Sequence, residues 1–310
     1  MKFKKYLPLV GILIFAYLLF RLNVWSILGE IKNTNLFFLS IAMTMVLVSF
    51  FTSTLKWFVI ARQQKIKVPF EYALKINLMS GFYGFVTPSR IGSMIRIEYL
   101  KKFANDRYGK GISNYILEKI LDVSSLMILI LVSSFFFRKA LSMNYFNYAL
   151  VGVGAIFIVA IVFMNEGRSK MILKIFYMKI LPKKIKETAK DGFYSFYEDM
   201  PERKFFPIFI IFSLTNWVIL YSIFYFIGLS VGINISFFYF LLFMPLTTFI
   251  GQIPITINGL GTREAAMISL FGLLGIPGTK IFSMSLINLV INGILPSIIG
   301  MLLILRDKKI

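Results

Sequence analysis

The stretch Phe85-Val-Thr-Pro-Ser-Arg-Ile-Gly-Ser-Met-Ile-Arg96 interrupts an otherwise apolar part of the chain. A similar string, Gln252-Ile-Pro-Ile-Thr-Ile-Asn-Gly-Leu-Gly-Thr-Arg-Glu264, follows about 167 residues later. Each string has a proline, then a glycine, and then an arginine four residues after that glycine. Because charges and helix breaks inside a membrane are costly and usually face a cavity or pathway, we expect both strings to serve one working site. Their corresponding positions suggest a transporter-like internal repeat.

The composition places the chain in a membrane. Of its 310 residues, 58% are hydrophobic and only 15% are charged, and the mean hydropathy is +0.78. The sequence has no cysteine and no histidine, which excludes disulfides, thiolate and imidazole metal sites and histidine bases. We therefore predict an all-α, polytopic membrane protein with one membrane domain over 1–310, without catalytic residues, metal or cofactor.

The net charge of +20 has a topological explanation. Most lysines and arginines fall in segments that would face the cytoplasm, where they follow the positive-inside rule and attract anionic lipids. We therefore expect anionic lipids of the cytoplasmic face as partners, and no nucleic acid, because no soluble domain is evident that would bind it. The sequence leaves open whether the protein is a homo-oligomer.

A transmembrane helix needs about 20 apolar residues. The predicted spans are 7–28, 36–61, 112–137, 145–165, 205–229 and 280–305. Basic residues cluster at both termini and in the segments 62–75, 101–110 and 166–204, the last of which holds ten of them. The positive-inside rule places these segments and both termini in the cytoplasm.

Two further apolar regions are too short or too interrupted to cross. Residues 76–100 lie between basic loops, so we expect a re-entrant helix pair from the cytoplasm. Residues 237–276 hold prolines, glycines and an Arg–Glu pair, and a re-entrant pair from the outer face keeps the C-terminus inside. The prediction is an inverted-topology repeat of two halves, 1–140 and 141–310. The alternative is that proline–glycine strings recur by chance in membrane helices.

The segment 166–204 carries apolar residues at helical spacing among its charges. We expect a cytoplasmic amphipathic segment on the membrane surface, and a partner-binding helix is the alternative. The spaced residues are Ile185, Ala189, Phe193, Phe196 and Met200.

The first string holds the candidate binding residues Arg90 and Arg96, and Glu98 follows directly behind them. The planar guanidinium of arginine suits phosphate, and a broken helix offers free backbone N–H groups to an anion. We predict that these three residues bind a phosphate-bearing lipid headgroup. The alternative is snorkelling of the arginines to the cytoplasmic interface. Pro88 and Gly92 are predicted to shape the turn.

The second string holds the candidate binding residues Arg263 and Glu264, in an apolar region without an obvious route to water. The alternative is a self-neutralising pair that caps a half-helix, with the glutamate near its positive end. Glycine lets the backbone turn sharply and approach a ligand closely. The predicted turn residues are Pro254, Asn258, Gly259 and Gly261.

Glu118 and Asp122 lie four residues apart at the start of the third predicted span, so they share one helical face. We predict that they contact the arginines of the strings or a cationic headgroup. The alternative is a helix start with favourable acids in its first turns. Lys119 is expected to point elsewhere. Asn288 and Asn292 are also four apart and either line the same cavity or bond across helices.

Three blocks of the chain resemble one known family. Pro88-Ser-Arg-Ile-Gly-Ser-Met-Ile-Arg96, Glu118-Lys-Ile-Leu-Asp122 and Pro254-Ile-Thr-Ile-Asn-Gly-Leu-Gly-Thr-Arg-Glu264 are similar to signature blocks of the lysylphosphatidylglycerol synthase transmembrane region, a flippase-like integral membrane family. The resemblance covers most of the chain. It implies translocation of lipids, including aminoacylated phospholipids, and related stand-alone members are linked with polyprenyl-phosphate glycan pathways.

The chain departs from the family pattern at two positions. Ser93 stands where an acidic residue is expected, and Lys119 stands where arginine is usual, so the resemblance does not define the headgroup. Because the sequence ends at Ile310, we expect a stand-alone membrane region without the soluble aminoacyl-transferase domain.

The expected function is that of a lipid flippase in a prokaryotic cytoplasmic (inner) membrane. Its substrate would be a phosphate-bearing lipid with an anionic headgroup, either a phospholipid, an aminoacyl-phospholipid or a polyprenyl-phosphate-linked lipid. The alternatives are a membrane-embedded transferase that acts on a lipid-linked substrate and a non-transporting membrane subunit. No nucleotide motif is visible, so a gradient, a partner or no energy source at all would drive the protein.

Overall fold

A computed structural model of the protein describes residues 7–104, 108–137, 196–253 and 259–306, with the single residues 154, 166, 167, 194 and 256. These residues form helices and turns without a strand, which confirms the all-α class. The helices are α1 (Leu7–Arg21), α2 (Val24–Lys32), α3 (Leu36–Gln63), α4 (Phe70–Val86), α5 (Arg96–Lys101), α6 (Tyr108–Phe137), α7 (Phe206–Ser230), α8 (Phe237–Gln252), α9 (Thr262–Gly272), α10 (Gly278–Asn288) and α11 (Leu295–Arg306). Short 3-10 segments cover Pro88–Ile95 and Arg203–Phe205, and a π-helical segment, Leu289–Ile294, joins α10 to α11.

Three helices in the described part of the chain are long and apolar enough to cross a membrane. They are Leu36–Gln63, Phe206–Ser230 and Gly278–Arg306, and they match the predicted spans 36–61, 205–229 and 280–305. At about 1.5 Å per residue each exceeds the ~30 Å hydrocarbon layer. The bent pair α1–α2 would make a fourth span if it crosses as one unit. The predicted total of six stays a prediction, and its fourth span, 145–165, lies outside the described residues apart from position 154.

The predicted first span, 7–28, is bent rather than continuous. The parts Leu13–Arg21 and Val24–Lys32 meet at 80°. The bend lies at Asn23, whose φ is 62° and whose side-chain oxygen accepts a hydrogen bond of 3.0 Å from the backbone N–H of Trp25. Asparagine tolerates this left-handed backbone and caps a helix well, so α2 starts afresh there. A hydrophobicity window misses this break, because one asparagine hardly changes the apolar content.

The described residues belong to two compact units. The first unit is formed by Met1–Ser53, Leu74–Ile95 and Thr215–Ile310, and the second by Thr54–Ala73 and Arg96–Leu214. The inverted-topology repeat of halves 1–140 and 141–310 stays a prediction.

In the first unit, α1, α2 and α10 share a core of Leu18, Ile27 and Phe282. The helices α8 and α9 meet through Phe240 and Phe271, whose ring centroids are 5.0 Å apart. They form a helix pair with a break between them at the second string, and the re-entrant course of this pair from the outer face stays a prediction.

The first string also forms a break between helices. The helix α4 ends at Val86, and the 3-10 segment folds back onto its last turns. The N–H of Gly92 donates to the Oγ1 of Thr87 over 2.7 Å, and a Cβ at Gly92 would lie 2.2 Å from the carbonyl oxygen of Tyr83. Only glycine fits so close to the backbone, since a side chain would displace the segment.

The second unit is built on α6 and the adjoining parts of α3 and α7. Its core contains Ile60, Leu117, Leu121, Phe196, Phe206 and Phe209. Phe196 belongs to the predicted amphipathic segment 166–204, and Met200 of the same segment packs against this core. Ile185, Ala189 and Phe193 lie outside the described residues.

Candidate functional site

Four charged side chains meet inside the second unit, and we call them the four-charge cluster: Lys56 of α3, Arg96 of α5, and Glu118 and Asp122 of α6. The Nη2 of Arg96 donates to the Oε2 of Glu118, and the Nζ of Lys56 lies 3.3 Å from the Oε1 of the same carboxylate. Lys56 also donates to the Oδ1 of Asp122. Two positive and two negative charges therefore balance one another within one cluster.

Burial makes this balance necessary. The side chains of Lys56, Arg96 and Glu118 are each at most 7% exposed, whereas the side chain of Asp122 is 19% exposed and lies at the edge. Removing one partner from a buried ion pair leaves an uncompensated charge and typically costs about 3–5 kcal/mol. The four side chains consequently hold α3, α5 and α6 in one arrangement.

Aromatic rings enclose the guanidinium group of Arg96. Its Cζ lies 4.9 Å from the ring centroid of Trp57 and 5.3 Å from that of Tyr115, both within cation–π range. The Nε of Arg96 and the Nε1 of Trp57 are buried donors without a hydrogen-bond partner among the described residues. Buried donors normally have a partner, so these two N–H groups mark a place where an acceptor would be stabilised.

Asp122 is also bound from a third helix. The Oγ of Ser213 on α7 donates to its Oδ1 over 3.1 Å, and the Nζ of Lys119 lies 3.9 Å from its Oδ2. The expectation that Lys119 points elsewhere is incomplete, because this half-exposed ammonium lies over the ring of Tyr115 and beside Asp122. The carboxylate at the cluster edge therefore has more than one cation close by.

A second polar group lies inside the first unit, and we call it the Arg263 cluster: Gly261, Arg263, Glu264 and Ser285. Gly261 precedes α9 with a φ of 85°, and its N–H donates to the Oε2 of Glu264 over 2.6 Å. The Oε1 of Glu264 accepts from Ser285 (2.7 Å) and from Arg263 (3.0 Å). Glu264 thus caps the start of its own helix and neutralises its neighbour, the geometry of the capping alternative.

Arg263 is the more accessible member of this cluster. Its side chain is 17% exposed, its Nη2 lies 3.3 Å from the Oγ of Ser285, and its Cζ is 5.7 Å from the ring centroid of Phe224. Its Nε is buried without a hydrogen-bond partner in the described part of the chain. The guanidinium of Arg263 is therefore bound through its Nη2, while its Nε–H is left as a donor without an acceptor among the described residues.

Glycines bring the second string against the end of α8. A Cβ at Gly259, whose φ is 77°, would lie 2.9 Å from the backbone of Gly251. A Cβ at Gly251 would lie 3.3 Å from the Cβ of Arg263. The turn residues Pro254 and Asn258 lie outside the described residues. Gly259 and Gly251 thus let the string approach α8 closely enough to place Arg263 beside it.

The remaining predicted site residues occupy different surroundings. Arg90 is exposed and has a φ of 56°. Glu98 is exposed as well, and its Oε1 accepts from the hydroxyl of Tyr108 over 3.3 Å. The Nδ2 of Asn292 lies 3.4 Å from the Oδ1 of Asn288, so these amides contact each other along one helix.

Lys56 is the cluster member that sequence reasoning missed. It is the one charged residue of the predicted span 36–61, and a charge inside an apolar span is a usable signal. Ser213 and Ser285 carry no such signal, since serine is common in membrane helices. Among the described residues, no group of three or more His, Cys, Asp or Glu side chains could hold a metal ion.

The fold and these buried charges define a helical membrane protein, and comparison with known proteins identifies its family. The family model "Lysylphosphatidylglycerol synthase TM region" matches residues 9–300. A UPF0104 membrane protein of Pyrococcus horikoshii is 23% identical over 332 residues, which cover 99% of this chain and 98% of that protein. A UPF0104 membrane protein of Methanocaldococcus jannaschii is 23% identical over 215 residues, 68% of this chain and 88% of that protein.

The chain therefore belongs to the lysylphosphatidylglycerol synthase transmembrane-region family, which confirms the resemblance seen in the three sequence blocks. Membership suggests a lipid-related role in the membrane.

Proposed function

We propose that the protein is a flippase that moves a phosphate-bearing lipid across the cytoplasmic membrane of a prokaryotic cell. One observation supports this proposal. After each of the two breaks, a helix begins with an arginine in its first turn, and that arginine is paired with a buried glutamate. The pairs are Arg96 with Glu118 and Arg263 with Glu264.

A lipid phosphate can compete with these glutamates for the guanidinium groups of the two arginines. Carboxylate and phosphate oxygens accept the same forked hydrogen bonds from a guanidinium group. Both arginines also have a buried Nε–H group that donates no hydrogen bond to any described residue. A phosphodiester has two unesterified oxygens, so one can accept a hydrogen bond from the Nε–H while the other accepts one from an Nη group. Arg96 and Arg263 would each hold the phosphate at one stage of translocation.

The barrier that such a protein lowers is desolvation of the headgroup. A phosphodiester charge in hydrocarbon without a partner is very unfavourable, whereas the acyl tails remain in lipid throughout. Arginines inside the membrane domain replace the lost water as hydrogen-bond donors. The exposed apolar side chains of α3 and α11, for example Leu47 and Leu302, suit contact with the acyl tails.

Reconstitution tests the proposal. Purified protein is inserted into liposomes that contain fluorescent phosphatidylglycerol, and dithionite then quenches only the label that reaches the outer leaflet. We expect wild type to expose the inner-leaflet label, and Arg263→Ala and Arg96→Ala to slow this exposure strongly. Arg306→Ala is the matched control, because Arg306 is an exposed arginine at the end of α11.

The same vesicles distinguish the alternatives. A transferase would leave a chemically altered lipid, which mass spectrometry of the extracted lipids would detect. A non-transporting subunit would leave both the label distribution and the lipid unchanged. Either result with well-folded wild-type protein contradicts the flippase proposal.

A further inference from the structure

We infer that the four-charge cluster takes up one proton with each anionic lipid headgroup, so that lipid movement is coupled to proton movement. The inference rests on the proposed function and adds a co-substrate to it. It is carried by the charge balance of the cluster and by the position of Asp122 at the cluster edge.

The four-charge cluster is electrically balanced. Lys56 and Arg96 contribute two positive charges, and Glu118 and Asp122 two negative charges, in contact with one another. Lys119, 3.9 Å from Asp122, is half-exposed and is not counted among these buried charges. A phosphodiester that binds Arg96 therefore adds one negative charge to four buried charges that sum to zero. An unbalanced charge in a poorly solvated site is so unfavourable that a titratable group changes its protonation state instead.

The geometry selects which carboxyl group changes. When a phosphate replaces Glu118 as the partner of Arg96, the Nζ of Lys56 still lies 3.3 Å from Glu118, and the two carboxylates then share this buried lysine. Asp122 is the more accessible of the two carboxylates, because its side chain is 19% exposed and that of Glu118 is 7% exposed. Asp122 accordingly takes the proton from the aqueous phase and returns it when the lipid leaves.

Ser213, whose hydroxyl can accept as well as donate, can hydrogen-bond a neutral acid at position 122, and Lys56 keeps Glu118 as its counter-charge when Asp122 is neutral. Lys56 reaches Asp122 from α3, Ser213 from α7 and Lys119 from its own helix, while Glu118 lies one turn earlier and faces Arg96. Both carboxylates are already in contact with ammonium or guanidinium groups. A metal cation would have to displace these groups to find oxygen ligands, which favours a proton as the compensating charge.

The test follows protons and lipid in the same vesicles. Proteoliposomes enclose a pH-sensitive dye, and fluorescent phosphatidylglycerol or phosphatidylcholine is added outside. For wild type we expect the lumen to acidify as phosphatidylglycerol enters, with one proton per lipid. A potassium diffusion potential should leave the rate unchanged, because the transported pair is neutral. Phosphatidylcholine has no net charge and should enter without acidification.

Asp122→Asn imitates the protonated acid and should uncouple the two movements. Phosphatidylglycerol should then enter without acidification, and its rate should depend on the membrane potential, because an unbalanced charge crosses. Asp199→Asn is the matched control in the same unit, since Asp199 lies 3.9 Å from Lys110 and outside the cluster. It should keep the proton coupling of wild type.

Each outcome decides the question. Lipid entry by wild type without acidification, or acidification that requires sodium, overturns the proton inference and leaves the flippase proposal intact. Absence of lipid entry by folded wild type overturns both. The wild-type measurement needs no variant, so a failure of Asp122→Asn to fold does not prevent the decision.

Discussion

Lys56 of α3 lies between the two carboxylates of α6, with its Nζ 3.3 Å from the Oε1 of Glu118 and in a hydrogen bond with Asp122. The lysine is 1% exposed. Neither its long side chain nor its charge can reach water, so its position depends on these two partners. Glu118 and Asp122, which share one face of α6, are therefore the two negative charges of a buried cluster whose positive charges are Lys56 and Arg96.

Replacing this lysine should destabilise the protein strongly. Lys56→Met leaves Glu118 and Asp122 with one buried cation between them, and we expect a loss of roughly 3–5 kcal/mol in the free energy of unfolding. Thermal unfolding in detergent measures the loss. The double variant Lys56→Met/Asp122→Asn should recover part of it, since it restores the balance of charge. Lys204→Met, in an exposed pair with Glu202, should change little, and equal effects of Lys56→Met and Lys204→Met would contradict the account.

Removing the Glu264 carboxylate should affect both the helix start and Arg263. In Glu264→Ala the N–H of Gly261 and the guanidinium of Arg263 lose their acceptor, and we expect a cost of about 1–3 kcal/mol. Glu264→Gln keeps an acceptor oxygen and should lose less. Unfolding in detergent measures both, and Glu71→Ala, at an exposed acid in the first turn of α4, serves as the control. Similar stability of Glu264→Ala and wild type would show that the cap is not needed.

The first string should not tolerate a side chain at its glycine. In Gly92→Ala the new Cβ would lie 2.2 Å from the carbonyl oxygen of Tyr83, so the segment must shift and lipid translocation should fall sharply. Gly81→Ala is the matched control, because a Cβ there meets nothing within 4 Å and alanine favours the helix. Translocation rates of the two variants, measured at equal reconstitution, decide the matter. Equal rates would show that the fold of this string is not required.

The helical class and three of the spans can be predicted from the sequence, because long apolar runs determine them directly. Both breaks can be located as well, since proline and glycine disfavour a continuous helix. The bend at Asn23 cannot, because a single side chain caps a new helix there inside an apolar run. The lone charge of Lys56 in an apolar span marks that residue, but its partners lie far along the chain and no local pattern encodes them. Ser285 carries no signal of its own, because its role comes entirely from the distant Glu264.

The bend at Asn23 depends on both its backbone and its side chain. Asn23→Ala removes the cap and places alanine at a φ of 62°, so we expect a loss of at least ~1 kcal/mol. Asn23→Gly should be nearly neutral, because glycine adopts this backbone freely. Unfolding in detergent compares the two. A greater loss in Asn23→Gly than in Asn23→Ala would contradict the explanation of the bend.

The predicted orientation can be tested because the chain has no native cysteine. With both termini in the cytoplasm, the loop between α7 and α8 faces outward and the loop between α3 and α4 faces inward. Asn234→Cys should react with an impermeant thiol reagent in whole cells, and Lys67→Cys should react only after the membrane is opened. The reverse labelling pattern would contradict the orientation.

The most direct test of the account is the leaflet exchange of fluorescent phosphatidylglycerol in liposomes that contain wild type, Arg263→Ala or Arg306→Ala. The account predicts rapid exchange with wild type and with Arg306→Ala, and exchange close to that of protein-free liposomes with Arg263→Ala. Equal exchange in all three samples, or none with wild type, would contradict it.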